Sequence, residues 1–186
     1  VIKVQIDDKE LQTFFHELTK KMGDLTPAFK IVGQIIQKSV WKNFDVGGRY
    51  SEVGSWRGGS KKWLPLAFAT LISRAGGTSK AFKKGARKKE EFSVEGLTVR
   101  ARKKMEDAKV LVRHGMAGGL MGSVTYVASA VDVVVGTNKV YAAIHQFGGK
   151  AGRGKKVEIP ARPYLVVQDE DIEEIKQTIW DYLQVK

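Results

Sequence analysis

The chain contains no cysteine among its 186 residues, which excludes disulfides, thiolate nucleophiles and thiolate metal sites together. Histidine is scarce, with three copies. No apolar run approaches the roughly 18 to 20 residues that a spanning helix needs, so no membrane partner is expected. The opening "VIKVQIDDKE" lacks the apolar block and cleavage site of a signal peptide, and the expectation is a chain that is soluble and cytosolic when made. Acidic residues are the minority: 20 Asp plus Glu face 32 Lys plus Arg, for a net charge of +12 and a pI near 9.8. What is present suffices for one ordinary core, at 42% hydrophobic and 28% charged, so a single domain over residues 1–186 is expected.

The excess positive charge suits polyanions or acidic proteins, and it is concentrated. Between Lys80 and Lys104 stand ten basic residues (Lys80, Lys83, Lys84, Arg87, Lys88, Lys89, Arg100, Arg102, Lys103, Lys104) against three acids, a net +7 in 25 residues. The C-terminal "QDEDIEEIKQTIWDYLQVK" leans the other way. A chain basic in its middle and acidic at one end can pair with copies of itself head to tail.

Periodicity outlines the elements. Residues 1–6 alternate as a strand, and "DDKELQTFFHELTKKMG" predicts a helix over about residues 8 to 22 with Asp7 as cap. Thr26-Pro27 opens a second helix with an apolar face of Phe29, Val32, Ile36, Val40 and Phe44. "DVGGRYSEVGSWRGGS" carries five glycines in 16 residues and reads as a long loop, functional or ordered by a partner. A third helix is expected at about Pro65 to Ser73, ended by Gly76 and Gly77. "TSKAFKKGARKKEE" has no period and reads as a disordered or mobile basic arm, after which Ser93 is the expected cap of a further helix. "SVTYVAS" and "VDVVVGT" predict two antiparallel strands, and "VYAAIHQFGG" a short helical turn with Tyr141, Ile144 and Phe147 packed on the sheet. "KVEIPARPYLVV" is extended, because a residue before proline is driven from helical geometry. Asp169 or Asp171 then caps a last helix with a stripe of Ile172, Ile175, Ile179, Tyr182 and Leu183. These elements define an α+β fold: N-terminal helices, a small antiparallel β-sheet and a C-terminal helix, with long loops or arms.

Candidate chemistry is thin. Catalysis by His145 requires a converging acid, base or nucleophile, and no motif links it to His16 or His114. There is no H-x-x-x-H or H-E-x-x-H pair, and "DEDIEE" lacks the glycine of a calcium loop. "GGKAGRGKK" has the glycine spacing of a phosphate loop, but Lys156 stands where Ser or Thr is needed and strand formers follow. It reads as a flexible basic connection. No catalytic residue, metal or cofactor is expected. The basic segment at residues 80–104 is a protein-docking arm or, as the alternative reading, a DNA-contacting module; with Phe82 and Phe92 its sole aromatics, stacking on bases is not indicated.

Three blocks together carry a resemblance. "GLMGSVTYVAS", "VDVVVGTNKVYAAIHQFGG" and "IPARPYLVV" stand in the order and spacing of the phage virion morphogenesis family, of the Mu tail-completion type. Its most specific parts are Gly136, Thr137 and Asn138, then Tyr141 with His145, Gln146, Phe147 and Gly148, then Ile159, Pro160, Arg162 and Pro163. Upstream, Trp63, Pro65, Thr70 and Arg74 are similar to the family's Trp, Pro-Leu, Thr and Arg pattern. The stretch from about residue 76 to 109 resembles an insertion, although "LTVRARKK" within it also fits the Thr and Arg pattern. The resemblance implies a noncatalytic protein of the virion neck or tail, made in the host cytoplasm. It further implies a homo-oligomeric ring, with a hexamer as candidate size, between phage tail tube or sheath and head-connector proteins.

Overall fold

The computed structural model describes residues 13, 17, 19–55, 57–84, 94–112 and 118–184. The N-terminal strand lies outside these, as do His16, Arg87, Lys88, Lys89, Ser93 and His114; of the first expected helix, residues 13, 17 and 19–23 are described and are helical.

Helix α1, Thr26–Val46, is the spine. Asp24 receives the Thr26 N–H on its carboxylate at 2.9 Å, Pro27 occupies the first turn, and Gly47 stops the helix at φ 76°, a left-handed conformation that glycine adopts without a Cβ penalty. The expected apolar face is there but widened, because Ala28, Ile35, Ser39 and Asn43 are buried beside Val32, Val40 and Phe44. One side of α1 packs on α6 (Asp169–Leu183) and another on the hairpin of β1 (Val124–Ala128) and β2 (Val133–Thr137), which demands more than one stripe.

That hairpin pairs antiparallel from Val124 opposite Thr137 to Ala128 opposite Val133, as its period predicts. Helix and hairpin are also tied by polar groups: Gln37 Nε2 donates to the Val124 carbonyl at 2.7 Å and Trp41 Nε1 to that of Met121 at 3.1 Å. Where they cross most closely, a Cβ built on Gly33 would lie 2.3 to 2.8 Å from carbons of the Tyr126 ring. Alanine there gains about 1 kcal/mol of helix propensity but must displace that ring, at about 1–3 kcal/mol. Gly33→Ala is therefore expected to destabilise by up to about 2 kcal/mol in chemical denaturation, and to become stabilising in a Tyr126→Ala background.

Several expectations are corrected. The third helix, α2, runs Phe68–Arg74 and starts later than Pro65, because the Leu64 and Pro65 carbonyls are taken by the buried Arg162 side chain. Part of the supposed mobile arm is ordered: α3 (Thr78–Ala81) is followed by Phe82, 2% exposed and bridged to Leu97. The next helix, α4 (Val99–Glu106), is capped by Thr98, whose hydroxyl receives the Ala101 N–H. Helices α2, α3 and α4 share a small core of Ile72, Ala75, Ala81, Phe82, Leu97 and Ala101, separate from the main one.

The glycine-rich loop after α1 is likewise held by the chain itself. Tyr50 pairs with Lys61, the Gly58 N–H reaches the Val167 carbonyl at 2.8 Å, and Arg49 donates to Asn43 Oδ1, Ser39 and Glu170. "GGKAGRGKK" is not a loose connection but a second hairpin, β3 (Gly149–Ala151) with β4 (Val157–Ile159), whose turn places Gly152, Gly154 and Lys155 at positive φ. Helix α6 is capped by Gln168 rather than by an aspartate: Asp171 Oδ2 receives the Gln168 N–H at 2.8 Å in a reciprocal capping box. Its three first-turn acids stand where the helix dipole favours them, and its apolar stripe is half-buried.

Candidate functional site: a strap held by side chains

Between β4 and α6 the chain runs through the main core, and among the described residues its one β-type pairing is the isolated parallel bridge of Val167 with Arg57. Residues 160–168 form this strap. Pro163, Tyr164 and Val166 are almost fully buried, so the main-chain polar groups around them need partners that no ladder supplies. Side chains provide them. Gln146 Oε1 receives the N–H groups of Tyr164 and Leu165 at 2.9 and 3.0 Å, while its Nε2 donates to the Leu165 carbonyl at 3.1 Å. Asn43 Nδ2 donates to the Tyr164 carbonyl and Trp63 Nε1 to that of Pro163, both at 2.9 Å. Arg162, itself buried, gives its Nε to the Leu64 carbonyl and its Nη2 to that of Pro65, both at 3.2 Å, and its own N–H meets the His145 carbonyl at 2.7 Å.

Packing supports the same arrangement. The Phe44 ring meets Trp63 edge-on at 5.6 Å and Tyr164 at 5.4 Å, inside a core completed by Val40, Tyr50, Leu120, Met121, Val124, Ala142 and Val166. Burial pushes the Tyr164 hydroxyl up to about 12.

The helical turn expected from "AAIHQF" is present as α5, Ala142–Phe147. Its orientation is the reverse of the expected one. Ala142 and Gln146 face the core, Tyr141 is 45% exposed and Phe147 64% exposed, and Ile144 is half-buried. The strap explains the inversion: its bare amide groups draw the Gln146 amide inward, and on so short a helix the aromatic residues are left outside. Gly148 ends α5 at φ 74°, ψ −178°, and a Cβ there would meet the Ala161 nitrogen at 2.8 Å. Glycine lets the two segments touch.

The remaining motif residues divide. Gly136 and Thr137 lie in β2, with the Thr137 hydroxyl 2.6 Å from that of Ser123, and Asn138 follows exposed. Thr70, Arg74, Tyr141, His145, Ile159, Pro160 and Arg162 converge on one groove of about 670 Å³. Arg74 donates to the Lys109 and Val112 carbonyls at its rim. His145 is half-buried beside Tyr141, and its Nδ1 is the one buried side-chain nitrogen or oxygen among the described residues that lacks a hydrogen-bond partner. No group of three or more His, Cys, Asp or Glu among the described residues is placed to hold a metal.

Burial first, and Arg162 second, hold His145 below its ordinary pKa of 6.5. The unfolded chain then binds a proton that the fold refuses, so this contribution to stability is complete above pH 6.5 and is lost as pH falls through that value toward the depressed one. His145→Gln should flatten the loss of stability between about pH 7 and about pH 5, measured by urea denaturation at each pH.

Asn43, Arg49 and Gln168 take part in this framework and were not singled out by the sequence. One signal existed: Asn43 falls between Val40 and Phe44 on the apolar face of α1, where a polar residue needs a buried partner.

Fold and site together define a small α+β protein whose most distinctive side chains are committed to holding its own main chain. The chain belongs to the phage virion morphogenesis family, whose model matches residues 90–184. The match begins inside the segment read as an insertion and leaves Trp63, Pro65, Thr70 and Arg74 outside it. Among curated proteins, the Mu-like prophage FluMu G protein 2 of Haemophilus influenzae is 48% identical over 81 residues, which is 41% of this chain and 59% of that protein. The chain thus spans less than two thirds of that relative's length. No solved structure matches it. Its role is that of a structural component of a phage virion. No helix among the described residues is long and apolar enough to cross a membrane.

Proposed function

We propose that this chain is a noncatalytic tail-completion or tail-terminator subunit of the virion neck, acting as a ring of identical copies that joins the tail tube or sheath to the head connector. The inversion of α5 carries this reading: a helix that buries glutamine and presents Tyr141 and Phe147, beside Val140 at 99% exposed, is built to be covered by a neighbour. Mass spectrometry of purified virions and tails, together with the native mass of the isolated chain, tests it. The chain is expected in tail-containing particles and as a multiple of its 20.6 kDa monomer; absence from virions would reject the reading.

A second reading rests on a separate observation. Lys83, Lys84, Arg100, Arg102, Lys103 and Lys104 are all exposed, and none of them forms an ion pair among the described residues. Such a face can grip phosphates without reading sequence, as suits a ring around the genome's path. Replacing Lys83, Lys84, Arg102 and Lys103 by Gln should then weaken DNA binding and reduce the slope of log affinity against log salt by about 0.9 for each lost contact. An unchanged slope would leave this face to protein docking.

A further inference from the structure

The groove over α5 combines features that a folded monomer has no use for. Its walls are apolar: Leu66, Leu111, Leu120, Ile159 and Pro160. Its polar content is cationic at one end, where burial first and the nearby Arg74 second disfavour the charge of Arg162. Arg162 gives Nε and Nη2 to carbonyls and forms no ion pair with a carboxylate among the described residues. Beside it is the unpartnered Nδ1 of His145; the one acid at the groove, Glu158, is exposed. An occupant that brings an apolar ring and a carboxylate together would fill the walls, neutralise the arginine pair and offer His145 a hydrogen-bond partner.

The chain displays such a pair elsewhere. Trp180, near the far end of α6, is 63% exposed, whereas Trp63 is buried and Trp41 half-buried. Asp181 follows it and is also exposed, with Oδ1 taken by Gln177 Nε2 at 2.7 Å and Oδ2 forming no hydrogen bond or ion pair with the described residues. Over its length α6 carries six acids against one lysine, while the chain as a whole is strongly basic. No residue of α6 lines the groove, so the projection and the recess are separate patches of the chain.

We infer that the groove formed by α2, α5, β4 and Arg162 receives the Trp180–Asp181 end of α6 from a second copy of this chain. The indole occupies the apolar walls and the carboxylate meets the arginine pair. Taken head to tail, with each copy's projection in the next copy's recess, the contact is heterologous and repetition closes a ring or grows a filament, whereas a reciprocal two-fold pair would stop at dimers. This inference rests on the self-association proposed above and specifies its interface.

The absence of cysteine makes the test clean. Thr70→Cys places a thiol at the groove and Gln184→Cys places one a turn beyond Trp180; both sites are exposed. A short bismaleimide added to the double variant should give a ladder of covalent dimers, trimers and higher species, while a mixture of the two single variants should stop at dimers. Trp180→Ala, on an exposed position, should keep the circular-dichroism spectrum and melting profile and weaken self-association by about 30-fold or more, the scale of an interface hot spot. If the wild type associates but the double variant gives no ladder and Trp180→Ala associates normally, this interface is overturned and the ring reading stands. If the wild type is monomeric both in solution and in isolated tails, both fall.

Discussion

Replacing Gln146 by alanine is expected to lower stability by about 3 kcal/mol, and the thermal midpoint by roughly 6–12 °C for a chain of this size. The side chain satisfies three main-chain groups of the strap, the N–H groups of Tyr164 and Leu165 and the Leu165 carbonyl. Removal leaves all three without the partner that a sheet would give, at about 1–3 kcal/mol for each that stays dry. Water entering the vacated volume recovers part, which sets the net figure near the lower end of the sum. Gln146→Leu separates volume from hydrogen bonding, because it keeps the bulk and restores no bond; it should be at least as damaging. Calorimetry on both variants decides, and a loss under about 1 kcal/mol would show that the glutamine is not what holds the strap.

Gly148→Ala is expected to be of similar size, about 3 kcal/mol, for a different reason. At φ 74°, ψ −178°, the backbone occupies a region essentially reserved for glycine, worth about 1–3 kcal/mol for other residues. A Cβ would also lie 2.8 Å from the Ala161 nitrogen and 3.0 Å from the Ile159 oxygen, main-chain atoms that cannot rotate away. Gly154→Ala is the control: it has φ 71° and ψ 17°, but a Cβ there meets only carbons of the Lys156 side chain at 3.7 Å or beyond. About 1 kcal/mol is expected for that change, so the difference between the two melts reads the close approach of α5 and the strap together with the costlier extended ψ of Gly148. Since His145 and Arg162 sit on either side of it, Gly148→Ala should impair self-association as well as stability.

Much of the fold was legible because it follows from periodicity. The alternation of "SVTYV" and "VDVVVGT" specifies β1 and β2, and the spacing from Val32 to Phe44, bounded by Pro27 and Gly47, specifies α1. The family motif was legible as well, and within it His145 and Gln146 read as residues that bond to backbone or to a neighbouring subunit; Gln146 bonds to backbone, whereas His145 Nδ1 has no partner among the described residues. Illegible were features decided by contacts distant in sequence. Periodicity on the six residues of α5 cannot say which face turns inward; the strap decides it, 18 and 19 residues later. Phe82 looked like an isolated aromatic in a basic run until Leu97 was found against it. The glycines of "GGKAGRGKK" suggested looseness, although several of them are the residues whose positive φ lets β4 return along β3.

The strap also bears on the order of folding. Asn43 and Tyr164 are joined across 121 residues, Trp63 and Pro163 across 100, and Arg162 and Leu64 across 98. Helix α1 can form as soon as it is synthesised, but Phe44 and Trp63 have no Tyr164 to close over until more than a hundred further residues have left the ribosome. Closure over such separations is slow, because the entropy of a long loop is lost before the contacts that reward it exist. The main core therefore forms after the strap is made, and the groove over α5 takes shape in the same late step.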